Sequence, residues 1–380
     1  MSSAITILPP AMLGMLGGGQ LGRFFVIAAH EMGYRVAVLD PDENSPAGKI
    51  ADLHICAAYD DEAALARLAE HCVAITTEFE NVPAATLEFL AQYCTVRPAA
   101  ASVAIAQNRV AEKNFFRDAG LPVAPYAVIR QVDDVPGLDS GLYPAILKVA
   151  RFGYDGKGQA RVASQDEARA AFEQFRGETC VLERMLKLDY EVSLVLARDA
   201  DGNVEAFPVA ENSHLNGMLD VSIVPARGDE AIRQQAQQLA IEVARKLDYI
   251  GVLGVEFFVS EGRLLVNEMA PRPHNSGHYT IDACVTNQFE QQVRVLAGLP
   301  LGEPRLHSSA VMVNILGDIW KDGEPAWAET LAEPALKMHL YGKHEARAGR
   351  KMGHFTVIGG SPEAVLETAM RARDMLGVGN

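Results

Sequence analysis

The sequence lacks the cysteine patterns of a disulfide framework or a zinc site. No CxxC pair occurs, and no histidine cluster follows any cysteine. An odd number of scattered cysteines is typical of a reducing compartment, where thiols stay free as small buried residues. We therefore expect no disulfides and a cytoplasmic location. The five cysteines are Cys56, Cys72, Cys94, Cys180 and Cys284.

The sequence also lacks the long apolar runs of membrane proteins. No uninterrupted apolar run reaches about 18 residues, the length that spans a bilayer. The apolar stretch from Ala4 to Gly19 has no Lys or Arg before Arg23, and Pro9-Pro10 interrupts it. These features argue against a signal peptide, so we expect no membrane association.

Positive charge is scarce. The 380 residues include 34 Lys and Arg against 49 Asp and Glu, a formal charge of 34 − 49 = −15. Such a field repels phosphate backbones, so we expect no nucleic-acid partner, and a small anionic substrate would need local basic residues. The 49% hydrophobic content is that of a globular protein, and the length suggests two or three domains at about 150 residues each.

The pattern of elements changes along the chain. Up to about residue 105, short strands alternate with helices, which predicts a parallel sheet with crossover helices. One helix is predicted over 105–119. From residue 143 the pattern is that of a mixed α+β region, and a hairpin is predicted around Ser260-Glu261-Gly262.

The first glycine loop, Gly17 to Gly22, fits GxGxxG between a strand and a helix. Asp40 ends the next strand, 18 residues after Gly22, which is the spacing of a dinucleotide-binding fingerprint. The same loop serves many phosphate ligands, since its glycines let the backbone approach a phosphate. NAD, another phosphorylated ligand and a purely structural tight turn therefore stay open.

A second glycine loop, Gly153 to Gln159, follows a strand that ends at Lys148. Three glycines and Lys157 within seven residues are typical of a flap whose amides close over phosphates. Lys148 would add a cation from a rigid strand, as phosphoryl transfer requires. The loop is no Walker A motif, and a polar hairpin beside a solvated lysine is the alternative.

Two carboxylates flank the predicted hairpin. Glu256 lies in an apolar strand and Glu268 follows the partner strand, so their Cβ atoms should lie about 5 Å apart. Two like charges at that distance need a proton or a cation between them, and Mg²⁺ would resolve the conflict. The alternative is that each carboxylate pairs with a basic residue such as Arg272.

The segment Met269 to Tyr279, MAPRPHNSGHY, is dense in hydrogen-bond donors. Arg272, His274, Asn275, Ser276 and His278 all lie within it. Beside a divalent cation these groups would suit an oxyanion such as bicarbonate, phosphate or a carboxylate.

Together these motifs resemble the ATP-grasp superfamily and, within it, the N5-carboxyaminoimidazole ribonucleotide synthetases of purine biosynthesis. The matching stretches are GGGQLGR, TEFENV (77–82), GYDGKGQ, NEMAPRPHNSGH, YGK (341–343) and GRKMGH (349–354). They occur in the expected order over nearly the whole chain. Relatives commonly read GGYDGRGQ, whereas Phe152 and Lys157 stand here for a glycine and an arginine. Lysine keeps the charge but loses bidentate geometry.

The resemblance implies an α/β and α+β protein with an ATP-grasp fold. It implies a Rossmann-like (pre-ATP-grasp) domain over 1–105 and an ATP-grasp region over 106–300, with a lid lobe at about 121–186. A small C-terminal α+β domain over 301–380 would complete the substrate site. A homodimer is also implied.

The resemblance further implies the substrates ATP, bicarbonate and aminoimidazole ribonucleotide, the cofactor Mg²⁺, and the residues that bind or convert them. Catalysis would use Lys148, Arg272, His274 and Lys157. Glu256 and Glu268 would bind the metal. ATP would contact Arg109, Lys148, Gly153, Tyr154, Asp155, Gly156, Lys157, Gly158, Gln159, Glu183, Arg184, Met185, Leu186, Glu191, His214, Asn267 and Glu268. The ribonucleotide would contact Gly19, Gln20, Leu21, Glu78, Tyr154, Lys157, Asn275, Ser276, Lys343 and Arg350.

Three other functions are weighed against this one. A dehydrogenase would use the first glycine loop but leaves the carboxylate pair unexplained. A biotin carboxylase or a formate-using ligase of the same superfamily fits the short C-terminal segment poorly. A non-catalytic nucleotide-binding regulator would have no use for metal-binding carboxylates beside an oxyanion loop.

Overall fold

Strand and helix alternate through the first sheet, as predicted. The structure, a computed structural model, describes residues 6–151 and 158–378. The first sheet has five parallel strands in the order β3-β2-β1-β4-β5, so the glycine loop after β1 lies at the carboxyl edge of its central strand. Its elements are β1 (Met12–Leu16), α1 (Gln20–Glu31), β2 (Arg35–Leu39), β3 (Leu53–Ile55), α2 (Glu62–His71), β4 (Ala74–Thr77), α3 (Ala84–Leu90) and β5 (Thr95–Val96).

Two helices, and not one, join the first sheet to the rest. They are α4 (Ala100–Ala106) and α5 (Arg109–Asp118), so the prediction of a single helix over 105–119 is wrong. Asn108 explains the break, because its side chain accepts hydrogen bonds from the amides of Val110 and Ala111 and so caps α5. The cap fixes where Arg109 begins a new helix.

A four-stranded antiparallel sheet follows, in the order β6-β9-β7-β8. Lys148 pairs with Gln159 across the β7–β8 hairpin, so the last residue of the second glycine loop lies on β8 opposite Lys148. Its elements are β6 (Tyr126–Ile129), β7 (Ala145–Val149), β8 (Gln159–Val162), α6 (Gln165–Gln174) and β9 (Cys180–Arg184).

A nine-stranded sheet contains the remaining strands, in the order β15-β14-β10-β12-β13-β16-β18-β17 with β11 paired to β10. The C-terminal strands β16–β18 join this sheet through β13. The elements are β10 (Tyr190–Arg198), β11 (Val204–Ala206), β12 (Ala210–Leu215), β13 (Met218–Val224), α7 (Glu230–Lys246), β14 (Gly251–Ser260), β15 (Arg263–Ala270), α8 (Thr280–Ala283), α9 (Gln288–Ala297), β16 (Ser309–Leu316), α10 (Trp327–Leu331), β17 (Leu336–Leu340), β18 (Lys351–Gly359) and α11 (Pro362–Met375).

The β12–β13 hairpin is a structural element that the pattern of the sequence did not predict. Asn216 and Gly217 connect the strands, and both have positive φ angles (53° and 79°). Asn-Gly between two strands is the strongest short hairpin signal, so this pair could have located His214 on a strand.

The described helices are too short or too polar to cross a membrane, which agrees with the absence of long apolar runs in the sequence.

We expect Asn108→Ala to lower the free energy of unfolding by about 1 kcal/mol, because two amides of α5 lose their acceptor. Chemical denaturation would measure the change. Ser361→Ala is the matched control, since the Ser361 side chain caps no amide of α11. An equal loss in both variants would contradict the capping role.

Candidate active site

The two predicted carboxylates lie opposite each other. Glu256 of β14 pairs with Glu268 of β15, while Phe257 pairs with Val266, so Asn267 is the extra residue of a β-bulge. A bulge re-aims the side chains beside it without ending the strand pairing. The register therefore places the Glu256 and Glu268 side chains side by side, as the hairpin in the sequence predicted.

Arg272 does not neutralise this pair. Its Nε donates to Glu80 Oε2 at 2.6 Å. Glu256 Oε1 instead lies 3.2 Å from His274 Nε2, and Glu268 Oε2 accepts a long hydrogen bond of 3.4 Å from Arg109. Each carboxylate thus has one basic partner, and the side chains remain 18% and 40% exposed.

Oxygen atoms accumulate at the bulge. Asn267 Oδ1 is buried and has no hydrogen-bond partner among the described residues, while Asn267 Nδ2 lies 3.5 Å from Glu256 Oε2. Burial would raise the pKa of Glu256, but His274, with His214 and Lys351, outweighs burial and keeps the pKa well below its ordinary value. An ionised carboxylate, a second carboxylate and an unpaired amide oxygen are ligands that Mg²⁺ prefers.

Lys148 projects from β7 onto Glu183 of β9. Lys148 Nζ donates to Glu183 Oε1 at 2.8 Å, and Lys113 Nζ of α5 lies 2.5 Å from Glu183 Oε2. Burial would raise the pKa of Glu183, but the two lysines outweigh burial and lower the pKa to about 2. The Glu183 carboxylate, which the resemblance assigned to ATP, is therefore held between two lysines.

Two buried charged residues of α5 were missed by the sequence reasoning. Glu112 accepts a hydrogen bond from the Met269 amide at 2.7 Å, and Lys113 donates to the Asn267 carbonyl at 3.0 Å. Burial raises the pKa of Glu112 to about 8. Both residues clamp α5 to the strand that carries Glu268. No local signal distinguishes them from solvent-facing charges on an amphipathic helix.

The lid loop is described in part. Gly158 has a positive φ angle of 71° and its carbonyl accepts from the Val149 amide, while Gln159 begins β8. Predictions for Phe152, Gly153, Tyr154, Asp155, Gly156 and Lys157 fall outside the described residues.

The end of β9 holds three further residues that the resemblance assigned to ATP. The amides of Arg184 and Met185 already donate to the carbonyls of Pro125 and Pro144. The amides of these two residues are therefore committed to the lid sheet, and Leu186 follows them directly.

Glu191 and His214 meet across β10 and β12. His214 Nδ1 lies 3.3 Å from Glu191 Oε2. Burial would lower the pKa of His214, but the hydrogen bond to Glu191 and the charges of Glu191, Glu256 and Glu268 raise it. These two residues therefore belong to the same electrostatic environment as the carboxylate pair.

The donor-rich segment places His274 at the start of a buried hydrogen-bond chain. His274 Nδ1 lies 2.8 Å from Ser276 Oγ, Ser193 donates to Ser276, and Asn212 and Ser222 continue the chain. Ser276 is buried within this chain, and its hydroxyl lies against the His274 ring. The chain fixes the His274 ring against Glu256.

Asn275 differs from its neighbours. Both polar atoms of its side-chain amide are buried and have no hydrogen-bond partner among the described residues. A buried amide without partners is costly, so a ligand that bonds to it would be favoured.

The first glycine loop uses its amides internally. Glu78 accepts from the Gly19 and Gly22 amides at 2.5 and 2.7 Å, and Asp40 accepts from the Gly18 amide at 2.6 Å. A Cβ on Gly19 would lie 2.6 Å from Glu78 Oε1, so the glycine is needed for the approach of this carboxylate. The amides are not presented to a phosphate in this arrangement.

The dinucleotide alternative therefore fails on geometry. Asp40, which would bind ribose hydroxyls, also accepts from Tyr59 and from the Asp42 amide. Among the predicted substrate contacts in this loop, Leu21 is buried in the apolar core of the first domain, so its side chain is not a contact surface. Gly19 and Gln20 remain beside Glu78.

Lys343 and Arg350 come together as predicted. With Arg347, Asp42 and Asn44 they line a cavity of about 200 Å³ between the loop after β2 and the segment between β17 and β18. Burial raises the pKa of Glu78, and the charge of Lys343 partly opposes that shift, so this cavity lies within electrostatic range of Glu78.

A cluster of histidines lies behind this cavity. His339 Nε2 lies 2.8 Å from Asp282 Oδ2, and His354 Nδ1 lies 3.0 Å from the Tyr341 hydroxyl. One ligand atom each from Asp282, His339 and His354 lies within 4.8 Å of the others. The His339 and His354 rings stack at 4.7 Å with 21° between their planes, so their nitrogen lone pairs run side by side and do not converge. We assign this cluster to packing.

Comparison with known proteins agrees with the geometry. Three family models match: the ribonucleotide synthetase preATP-grasp domain (residues 11–107), the ATP-grasp domain (114–289) and the phosphoribosylaminoimidazole carboxylase C-terminal domain (310–368). The N5-carboxyaminoimidazole ribonucleotide synthase of Bacillus subtilis is 44% identical over 92% of this chain and 92% of its own length.

Solved structures match over nearly the whole chain. The ADP complex of an N5-carboxyaminoimidazole ribonucleotide synthetase has a TM-score of 0.91 at 42% identity and covers 98% of both chains. The Aspergillus clavatus enzyme in complex with ADP and 5-aminoimidazole ribonucleotide has a TM-score of 0.89 at 31% identity, covering 97% of this chain and 98% of that one.

We expect the free energy of unfolding to fall as the pH is lowered, because protonation of Glu183 removes its ion pairs with the two lysines. The folded-state pKa of about 2 lies below the ordinary value of 4.5, so the stabilisation is present above pH 4.5 and is lost as the pH falls toward 2. The wild type should therefore be more stable than Glu183→Gln at about pH 5, and this difference in the free energy of unfolding should shrink as the pH falls to about 2. Urea denaturation at several pH values would measure this difference, and Glu178→Gln, at an exposed position, is the control. A difference between the wild type and Glu183→Gln that stays constant with pH would contradict the ion pairing of Glu183.

Proposed function

The chain belongs to the N5-carboxyaminoimidazole ribonucleotide synthase family, and we propose that its described residues carry out the family's reaction with bicarbonate and Mg²⁺ as set out below. The protein is an ATP-grasp ligase of purine biosynthesis that uses ATP to carboxylate 5-aminoimidazole ribonucleotide to N5-carboxyaminoimidazole ribonucleotide. The observation that carries the proposal is the carboxylate pair at the Asn267 bulge, beside Arg109.

Glu256 and Glu268 would hold Mg²⁺, with Asn267 Oδ1 as a neighbouring oxygen. The unpaired Asn267 oxygen and the partly exposed carboxylates fit this ion. When bound, the ion would neutralise charge on the terminal phosphates of ATP. Arg109, whose guanidinium already touches Glu268, would orient that carboxylate or contact a phosphate.

Lys148 supplies the mobile cation of the site. It extends from strand β7, which is fixed by pairing to β8 and β9, and its side chain reaches the cleft. Once Lys148 has turned from Glu183 to the nucleotide, its ammonium group would stabilise charge that develops on the γ-phosphate. Glu191 and His214 lie on strands of the facing sheet, where they would bind the ribose side of the nucleotide.

His274 and Arg272 would position bicarbonate. A bicarbonate oxygen attacks the γ-phosphorus of ATP, the new O–P bond forms, and the bond to the ADP oxygen breaks. The resulting carboxyphosphate transfers its carboxyl group to the exocyclic amine of the ribonucleotide, directly or after release of CO₂, and inorganic phosphate leaves. Arg272 and His274 are both held by carboxylates (Glu80 and Glu256), so their orientation is set before the substrate arrives.

The ribonucleotide would lie between Glu78 and Asn275, with its 5′-phosphate in the cavity of Lys343 and Arg350. The orphaned amide of Asn275 offers both a donor and an acceptor to the substrate. A local basic cavity overcomes the negative field of the whole chain. The glycine loop at 153–159 would close over the site and exclude water, which would hydrolyse carboxyphosphate.

The homodimer that the resemblance implies, the cytoplasmic location that the cysteine pattern predicts and the role of Lys157 are also part of this proposal.

We expect ADP release by the wild type to require both 5-aminoimidazole ribonucleotide and bicarbonate for full rate, and Glu268→Gln to lose at least about 100-fold in ATP turnover, since one carboxylate of the metal site is removed. A coupled ADP assay measures both. Glu261→Gln, in the exposed hairpin turn, is the control. Wild-type rates in Glu268→Gln would refute the metal assignment, and a requirement for formate or biotin would refute the reaction.

We expect Lys343→Met to raise the KM for the ribonucleotide about tenfold or more, because a phosphate contact is lost, while the KM for ATP stays unchanged. Steady-state kinetics with each substrate varied would show the difference. Lys337→Met, an exposed lysine on β17, is the matched control. An equal rise in both KM values would contradict a role confined to the ribonucleotide.

A further inference from the structure

We propose that Lys113 is a positioning residue that keeps Glu183 compensated when Lys148 leaves it for the phosphates of the nucleotide. The inference rests on the proposed role of Lys148 in ATP binding. It adds a residue that neither the sequence motifs nor the resemblance assigned to the site.

Each carboxylate oxygen of Glu183 lies against a different lysine. Lys148 Nζ lies 2.8 Å from Oε1, and Lys113 Nζ lies 2.5 Å from Oε2. Because the two lysines do not compete for one oxygen, either can leave without displacing the other. The arrangement carries two positive charges against one negative charge.

The two lysines differ in access to the cleft. The Lys113 side chain is 0% exposed and that of Glu183 is 3% exposed, whereas the Lys148 side chain is 12% exposed. Lys113 Nζ also donates to the Asn267 carbonyl at 3.0 Å, so its ammonium group has a second fixed partner besides Glu183. Lys148 is therefore the lysine that can turn to a ligand, and Lys113 is the one that stays.

The electrostatic reason follows from burial. An ionised carboxylate that loses its partner in a buried position is strongly destabilised. Without Lys113, a move of Lys148 to a phosphate would leave Glu183 in that state, so Lys148 would be retained. With Lys113 in place, Glu183 keeps a partner and Lys148 is available to the nucleotide.

The position of Lys113 also joins the parts that must meet around ATP. It lies on α5, contacts β9 of the lid sheet through Glu183, and contacts the bulge beside Glu268 through Asn267. A single ammonium group thus connects the lid sheet to the strand of the metal site.

The test compares Lys113→Met with the double variant Lys113→Met/Glu183→Gln. We expect Lys113→Met to weaken ATP and ADP binding and to raise the KM for ATP about tenfold or more, because Lys148 stays with Glu183. The double variant should recover to within about threefold of the wild type, because neutral glutamine no longer retains Lys148. The KM for the ribonucleotide should not change in either variant.

Calorimetric titration with ADP and steady-state kinetics would measure these effects, with thermal unfolding as the check on folding. Arg117→Met, an exposed cation on the same helix, is the control. If Lys113→Met does not fold, Lys113→Gln replaces it, since its amide can still bond to Glu183 and Asn267.

The outcomes separate the two roles. A merely structural Lys113 predicts a double variant no better than the single one, and that result would overturn the proposal, as would unchanged nucleotide affinity in Lys113→Met. Failure of the proposed function would appear in the wild type, as ADP release that is independent of bicarbonate and ribonucleotide. The Lys113 comparison reads nucleotide affinity and does not depend on that rate.

Discussion

Backbone hydrogen bonds force two carboxylates together across one hairpin, and the charged groups of the site are arranged around that repulsion. The β14–β15 register sets Glu256 against Glu268, and neither can leave without breaking strand pairing. His274 pairs with Glu256 and Arg109 pairs with Glu268, but neither contact is bidentate. The pair therefore keeps unused oxygen atoms, and a divalent ion is the natural group to complete it. Under the proposed function, Lys148 would meet the nucleotide phosphates beside that ion, while Lys113 stays with Glu183.

The site also shows how an acidic protein arranges carboxylates and cations around anionic substrates. Its own carboxylates hold the cations in place before substrates arrive, as Glu80 does for Arg272 and Glu183 does for Lys148. Such pairs fix geometry in advance, at the cost that a substrate must compete with an internal anion. In the first glycine loop the protein's own carboxylates stand where a phosphate could bind, because Glu78 and Asp40 accept hydrogen bonds from the amides that a phosphate would otherwise use.

The local pattern of residues in the sequence predicted some parts of the fold and of the site and missed others. The hairpin register could be predicted because a short turn dictates which residues face each other. The break at Asn108 was missed because hydrophobic periodicity continues through it, although asparagine is itself a cap signal. The role of the glycine loop stayed open between a phosphate ligand and a structural turn, because the partner of its amides, Glu78, lies about 60 residues downstream and comes beside the loop only when β4 pairs with β1. Lys113 and Glu112 were missed because a charged residue on an amphipathic helix is normally solvated, and only the packing of α5 on β9 and β15 buries them.

The nine-stranded sheet has one further consequence. Because β13 pairs with β16, the hairpin that carries the carboxylates and the segment that carries Lys343 and Arg350 belong to one hydrogen-bonded surface. Paired strands keep a fixed spacing, so the sheet sets the separation between the Glu256–Glu268 pair and the cavity that Lys343 and Arg350 line. Without β16–β18 the edge of β13 would be left open, with unpaired backbone groups that could pair with another chain.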